Sequence, residues 1–380
     1  MGGPLAGVRI LELAGLGALP YGSLRLADMG AEVVRIDRTS EVPAAPEPRP
    51  HNFWDRGRRS IAIDLKHPDG VDTVLRLVEG ADVFLESFRP GVAERLGLGP
   101  DVLLARNPRL VYGRLTGWGQ TGPLAQSAGH SLNYEAITGV TRTIGPRGGP
   151  PVPLLQVLGD FAGGGLHLAF GVVCALFEAR RSGRGQVVDA AMVDGVMSLM
   201  SVFYAMQASG LHGDEMGTNL FDGGAPFYNV YETKDGGYVS VAPIEPHFYA
   251  LLIAKLGLDP ATLPDQNDRA RWPELRERFA AVFRTKTRDE WSALLEGTDA
   301  CYAPVLGLGE VRDYAHHRAR EVFIGDGPMP ELLPTPRLSR TPGDPGPSPG
   351  WPGADTDPVL REAGFADDEI AGLRLRGAIK

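Results

Sequence analysis

The tightest constraint on the fold lies at the start of the chain. "VRILELA" (Val8 to Ala14) is a short apolar strand, "GLGALPYGSLRLADMG" is a loop running into a helix, and "AEVVRIDR" (Ala31 to Arg38) is a second strand. Two strands joined by a crossover helix pair in parallel, because antiparallel neighbours need only a tight turn. More strands follow in "SIAIDL" (Ser60 to Leu65), "DVFLESF" and "RLVYGRLTG", with "GVDTVLRLVEGA" reading as a helix between them. This alternation predicts an open α/β sheet over the first half of the chain.

The texture changes at Phe227. "FYNVYETKDGGYVSVAPIE" is two alternating strands about a Lys-Asp-Gly-Gly turn, the signature of a hairpin. Helical segments follow in "EPHFYALLIAKLGL" and "RDEWSALLEGT", then a strand in "ACYAPVLGL", so a smaller α+β domain is expected here. Gly325 to Pro358 is too rich in Pro and Gly for regular structure and reads as an extended surface segment. Thr356 is the expected N-cap of a closing helix, and Gly364 its stop before a second short one.

The 380 residues carry 43% hydrophobic and 22% charged side chains, as a soluble globular protein does, and are long enough for two domains. A net charge of −9 argues against coating nucleic acid while leaving room for a local basic pocket. Cys174 and Cys301 are the two cysteines and form no CxxC pair, which argues against a disulfide scaffold or thiolate-bound zinc. "MGGPLAGVRILELAG" lacks the basic flank of a signal peptide. The apolar run Leu166 to Phe177 is short for a bilayer and reads as a buried helix, so a cytoplasmic location is expected.

"GLGALP" after the first strand, with Asp37 further on, imitates a dinucleotide fingerprint. Pro20 stands at the third glycine position, and a tight strand-to-helix turn accounts for the stretch without NAD. Arg38, Arg56, Arg58, Arg59, Lys66, Arg89 and Arg95 gather near strand ends, where open α/β sheets bind ligands. In an acidic protein such a set suits a polyanion such as a nucleotide phosphate. No HExxH, Walker A loop or GxSxG elbow is present.

His130 stands in "SAGHSLNYEA" and Asp160 in "LLQVLGDFAGGG". Asp160 reads equally as a helix N-cap or as an acid beside amides able to stabilise an enolate, with glycines permitting close approach. His130 has the acidity for proton transfer at neutral pH, although spacing alone favours a structural role. Glu245, in "PIEP" at the end of the hairpin, reads alone as a solvated side chain. The Met-rich stretch Ala190 to Gly210 reads as core or dimer contact, with a lesser reading as a cushion for an acyl chain.

Taken together, "GPLAGVRILELAG", "GAEVVRIDR", "DLKHPDG", "FRPGVAERLGLGP", "RLTGWGQTGP", "AGHSLNY", "LGDFAGGG", "SGRGQVVDAAMVDG", "DGGYVSVAPIEPHFY" and "VLREAGFADDEIAGLRLRGAI" resemble the family III CoA-transferase superfamily. Within it they resemble the α-methylacyl-CoA racemases, over essentially the whole chain. The resemblance implies a large Rossmann-like α/β CoA-binding domain from residues 1–190 and 335–380. It also implies a linker helix over 191–220, a small α+β domain over 221–322 and a return linker over 323–334. Two subunits would thread through each other as an interlocked homodimer.

The resemblance further implies that His130 and Asp160 flank C2 of an acyl thioester and that Glu245 from the other subunit assists the His. CoA contacts would come from Arg38, Ile63, Asp64, Leu65, Lys66, Ser87, Phe88, Arg89, Arg95, Gly129, His130, Ser131, Leu132, Asn133 and Tyr134. The implied reaction inverts C2 of a 2-methyl-branched acyl-CoA through an enolate, a step of lipid metabolism. It needs no metal and no redox cofactor, CoA being part of the substrate. One position departs from the pattern: Ser131 stands where these racemases often carry Asp. Transfer of CoA between carboxylates through an aspartyl anhydride is the second expectation, and a non-catalytic acyl-CoA binder the third.

Overall fold

The computed structural model describes residues 2–44, 53–325, 331–348 and 350–380. The chain divides into two compact units, one from residues 1–138, 154–199 and 321–380 and the other from 139–153 and 200–320.

The first unit is built on a six-stranded, all-parallel sheet in the order β3-β2-β1-β4-β5-β6. The strands are β1 (Arg9–Leu13), β2 (Glu32–Asp37), β3 (Arg58–Ala62), β4 (Val83–Glu86), β5 (Val111–Thr116) and β6 (Val187–Ala191). Crossovers contain α1 (Ala18–Asp28), α2 (Pro68–Val78), α3 (Val92–Arg95), α4 (Pro100–Arg106), α5 (Ser131–Ala136) and α6 (His167–Ser182); α7 (Met192–Ala208) follows β6. Val34, Ile36, Ile61 and Phe84 pack on one face with Val74 and Leu77 of α2. Val33, Val83, Leu85 and Leu115 pack on the other with Leu19 of α1 and Leu168 and Val172 of α6. Both faces are thus covered, as a parallel sheet requires.

The C-terminal segment closes the edge of β3. Ile379 bridges Ile63, the amide of Asp64 donates to Ala378 O at 2.9 Å, and that of Lys380 donates to Ala62 O at 3.1 Å. The helix Thr356–Glu362 takes Asp355 as its N-cap, one residue before the expected Thr356. Thr356 is buried instead, and its hydroxyl accepts from the amide of Ala62 at 3.0 Å.

Two expectations are corrected. The apolar run at Leu166 continues a helical stretch, Val157–Ser182, whose 26 residues are by length and composition long and apolar enough to cross a membrane. It is half buried: a helix on a sheet hides one face, and Phe170 and Phe177 on the other are 70% and 74% exposed. Three of the gathered cations are also consumed within the protein. Arg56 pairs with Asp28 at 3.1 Å and Glu331 at 3.2 Å, Arg58 with Glu12 at 2.8 Å, and Arg59 with Glu362 at 2.5 Å. Buried guanidiniums need carboxylate partners, and those lie far off in sequence.

The second unit carries the antiparallel sheet β7 (Asn229–Glu232), β8 (Tyr238–Val241) and β9 (Tyr302–Val305), in that order. The β7–β8 hairpin turns at Gly236, with φ +77°, and Thr233 Oγ1 donates to Asp235 Oδ1 at 2.6 Å. The helices α8 (Pro246–Leu256), α9 (Trp272–Phe283) and α10 (Arg288–Leu295) share a core with this sheet, centred on Tyr231, Phe279, Phe283 and Trp291.

Candidate active site

The strand order reverses between β1 and β4, which opens a crevice beyond their carboxyl ends. A cavity of about 960 Å³ occupies it, lined by Ala14–Gly17 after β1, Arg38 after β2, Ser87–Arg89 after β4, Thr116–Trp118 after β5, and Gly129, His130 and Tyr134. Arg38 and Arg89 are exposed and have no carboxylate partner among the described residues. Of the gathered cations they are the two that line the cavity, where an anionic ligand could meet them. Asp37 also lines the cavity, with its Oδ2 engaged by Arg35 Nε at 3.0 Å and by Ser60 Oγ at 2.5 Å.

His130 precedes α5, where its backbone amide is fixed by Asn133 Oδ1 at 3.0 Å while the ring is exposed. The Tyr134 hydroxyl bonds to Gly129 O, and the Tyr134 ring meets Trp118 edge to face at 4.7 Å. These contacts hold the loop that carries the imidazole. Asp160 sits in a π-helical turn, Val157–Leu166, whose N-cap is Gln156. It is therefore no N-cap, and π-helical turns concentrate at functional sites. Its Oδ2 is 3.4 Å from where a Cβ on Gly17, a cavity residue, would sit.

The two candidate groups sense each other. Burial pushes the Asp160 carboxyl above its ordinary value, His130 pulls it back, and Glu135 pushes it up again. Burial also raises the Tyr134 phenol, with Asp160 adding to the rise and Arg89 opposing it.

The amides expected to face an enolate are engaged elsewhere. Gly159 N donates to Glu135 Oε1 at 2.9 Å, and Asp160 N lies 3.3 Å from Ser131 Oγ and 3.2 Å from Gln156 O. The glycine triplet serves packing: a Cβ on Gly163 would lie 3.0 Å from Met192 O, and one on Gly165 would lie 2.6 Å from Ala18 O.

Of the other candidates, Ser131 is buried and Leu132 and Asn133 are exposed on α5. Ser87 and Phe88 line the cavity, with the Phe88 amide donating to Glu86 Oε2 at 2.6 Å. Ile63 is buried in the core, Leu65 packs partly against it, and Asp64 Oδ1 accepts from the exposed Lys66 at its amide, 2.9 Å away. Ile63, Asp64, Leu65, Lys66 and Arg95 are not among the residues lining the cavity. Glu245 belongs to the second unit, exposed as the N-cap of α8. Met192 is the member of the Met-rich stretch that reaches the cavity. No group of three or more His, Cys, Asp or Glu among the described residues is placed to hold a metal ion. Glu135 was invisible to motif reasoning; its one signal was a carboxylate four residues after Ser131 on the same helix face.

An open parallel sheet whose switch-point cavity is lined by His130, Arg38 and Arg89 defines an α/β protein with a candidate site there. The chain belongs to CoA-transferase family III, whose family model matches residues 5–356. It is 48% identical over 97% of its length to a protein of Mus musculus named alpha-methylacyl-CoA racemase, covering 96% of that protein. A Homo sapiens protein of the same name is 43% identical over 97% of this chain and 96% of its own. A succinyl-CoA–D-citramalate CoA-transferase of Chloroflexus aurantiacus is 32% identical over 99% of this chain and 98% of its own. The crystal structure of a CAIB/BAIF family protein from Brucella suis superposes with a TM-score of 0.82 at 25% identity, over 96% of this chain and all of that one.

Proposed function

We propose that this chain is an α-methylacyl-CoA racemase, an isomerase that inverts C2 of 2-methyl-branched acyl-CoA thioesters. The observation that carries the reading is geometric: His130 lines the switch-point cavity, and the Asp160 carboxyl lies 3.4 Å from where a Cβ on Gly17, another lining residue, would sit. The high identity to proteins named racemases supports it.

A thioester carbonyl acidifies the adjacent C–H because the developing charge spreads onto oxygen. Inversion requires removal of that proton from one face of C2 and return of another to the opposite face. With one hand of substrate, neutral His130 takes the proton and protonated Asp160 supplies one. With the other hand, the carboxylate takes it and the imidazolium supplies it. The Gly159 and Asp160 amides, being engaged within the protein, are not the groups that stabilise the enolate oxygen. Arg38 and Arg89 hold CoA phosphates, with Ser87, Phe88 and Gly129 against the rest of the carrier.

A homodimer completes the site: the partner subunit's Glu245 holds the His130 tautomer and favours its cation. The exposed apolar face of α6, with Phe170, Val173 and Phe177, supports burial against a second copy. The second reading, CoA transfer with Asp160 as nucleophile, rests on the relative named a CoA-transferase. Incubating 2-methylacyl-CoA in heavy water without an acceptor acid separates the two. Deuterium at C2 with equilibration of the epimers establishes the racemase; no exchange, but CoA passing to an added carboxylate, establishes the transferase.

A further inference from the structure

Glu135 is fully buried, at 0% exposure, and lies four residues along α5 from Ser131. Ser131 Oγ donates to Glu135 Oε1 at 2.8 Å and lies 3.3 Å from the Asp160 amide. The same Oε1 accepts from the Gly159 amide at 2.9 Å. One carboxylate oxygen thus ties together the helix that begins at His130 and the π-helical turn that carries Asp160. The other, Oε2, is buried with no hydrogen-bond partner among the described residues.

Such an arrangement costs free energy: a buried carboxylate with a bare oxygen is expensive, and protein folds seldom keep one without use. The approach is also close. A Cβ on Gly159 would lie 2.3 Å from Ser131 Oγ and 2.9 Å from Glu135 Oε1, so only glycine admits the contact. Ser131, the departure from the racemase pattern, is the hydroxyl that relays it.

We propose that Glu135 is a positioning residue, which through Ser131 and the Gly159 amide fixes the backbone of Asp160 against that of His130 and whose charge keeps the shared proton on that pair. The proposal rests on the racemase reading for its catalytic consequence, while its structural content is independent of it. Three side chains face Asp160 electrostatically or through Tyr134. His130 pulls its carboxyl down, Glu135 pushes it up, and the Tyr134 phenol is raised by burial first and then by Asp160, with Arg89 opposing. Tyr21 of α1 brings its ring to within 4.8 Å of Phe161, adding no charge.

The test compares Glu135→Gln, which keeps the acceptor and removes the charge, with Glu135→Leu, which removes both. In wild type and variants, kcat and kcat/KM for C2 deuterium exchange are followed across pH, together with the KM for acyl-CoA. The expected result for Glu135→Gln is a pH profile displaced to lower pH by half a unit or more with KM unchanged. For Glu135→Leu, turnover is expected to fall tenfold or more, again with KM within twofold of the parent.

A second readout needs no turnover: the 13C resonance of the Asp160 carboxyl, assigned with Asp160→Asn, titrates at lower pH in Glu135→Gln. An unmoved Asp160 titration overturns the proposal, even if Glu135→Leu does not fold. Wild-type protein without C2 exchange overturns the racemase reading instead, and the Asp160 titration still decides the role of Glu135.

Discussion

Arg58 Nη1 lies 2.8 Å from Glu12 Oε2, and both side chains are enclosed beneath the sheet's switch-point turn. Ser23 Oγ donates to the same carboxylate at 2.6 Å, and Arg58 Nη2 donates to Pro20 O at 2.9 Å. The pair therefore anchors the start of α1 and, with it, the Gly15–Gly17 wall of the cavity. Arg58→Met leaves a buried carboxylate without its cation. It is expected to cost about 3–5 kcal/mol, with much of the loss recovered in Glu12→Leu/Arg58→Met. Urea midpoints of the two variants check this; equal midpoints would refute it.

Replacing His130 by Ala removes one of the two proton carriers while leaving Arg38 and Arg89 in place. Equilibration of the epimers is expected to disappear, together with exchange of the epimer whose C2 proton faces the imidazole, with the affinity for CoA, read by calorimetry, within a few-fold of the parent. Full exchange in that variant would take the imidazole out of the reaction.

The pH dependence has a definite form. Both working states of the pair, neutral imidazole with protonated carboxyl and imidazolium with carboxylate, carry the same single proton. The kcat/KM profiles of the two epimers are therefore expected to be superimposable bells. Because Asp160 is raised above its ordinary 3.8, the acid limb lies above that value. Activity falls on that limb as the second proton binds, and on the alkaline limb as the shared proton leaves. Epimers with oppositely sloped profiles would exclude a one-proton pair.

Much of this site could be read before the fold was known, because its parts are local in sequence. The alternation around Val8–Arg38 fixes parallel pairing, and His130 and Asp160 stand in recognisable contexts. What escaped was long-range charge pairing. Arg56, Arg58 and Arg59 look available to a ligand until Asp28, Glu331, Glu12 and Glu362 are brought to them by the sheet and the returning C-terminus. The π-helical winding around Asp160 escaped for a related reason, since its glycines answer to Ala18 and Met192 rather than to their own neighbours.

Arg38→Ala and Arg89→Ala should weaken acyl-CoA binding and leave chemistry alone. A hydrogen-bonded contact to a charged group contributes about 1.5–3 kcal/mol, so KM should rise about 10- to 100-fold with kcat nearly constant. Steady-state kinetics checks the split; a drop in kcat without a change in KM would assign these cations elsewhere. Added salt should weaken the parent enzyme's binding more than that of the variants.

Phe177, 74% exposed on α6, offers a test of assembly. Phe177→Glu is expected to shift the protein toward monomer in sedimentation velocity and to lower exchange in step, because the proposed site borrows the partner's Glu245. A monomer with undiminished turnover would show that one chain suffices.

The pairing of Ala62–Asp64 with Ala378–Lys380 has a consequence for biosynthesis. These partners are far apart in the message, so the outer strand of the sheet is made early and waits through most of synthesis for its neighbour. Until Lys380 has left the ribosome, the nascent chain carries a raw β-edge, which makes that interval the time when it most needs chaperone shelter.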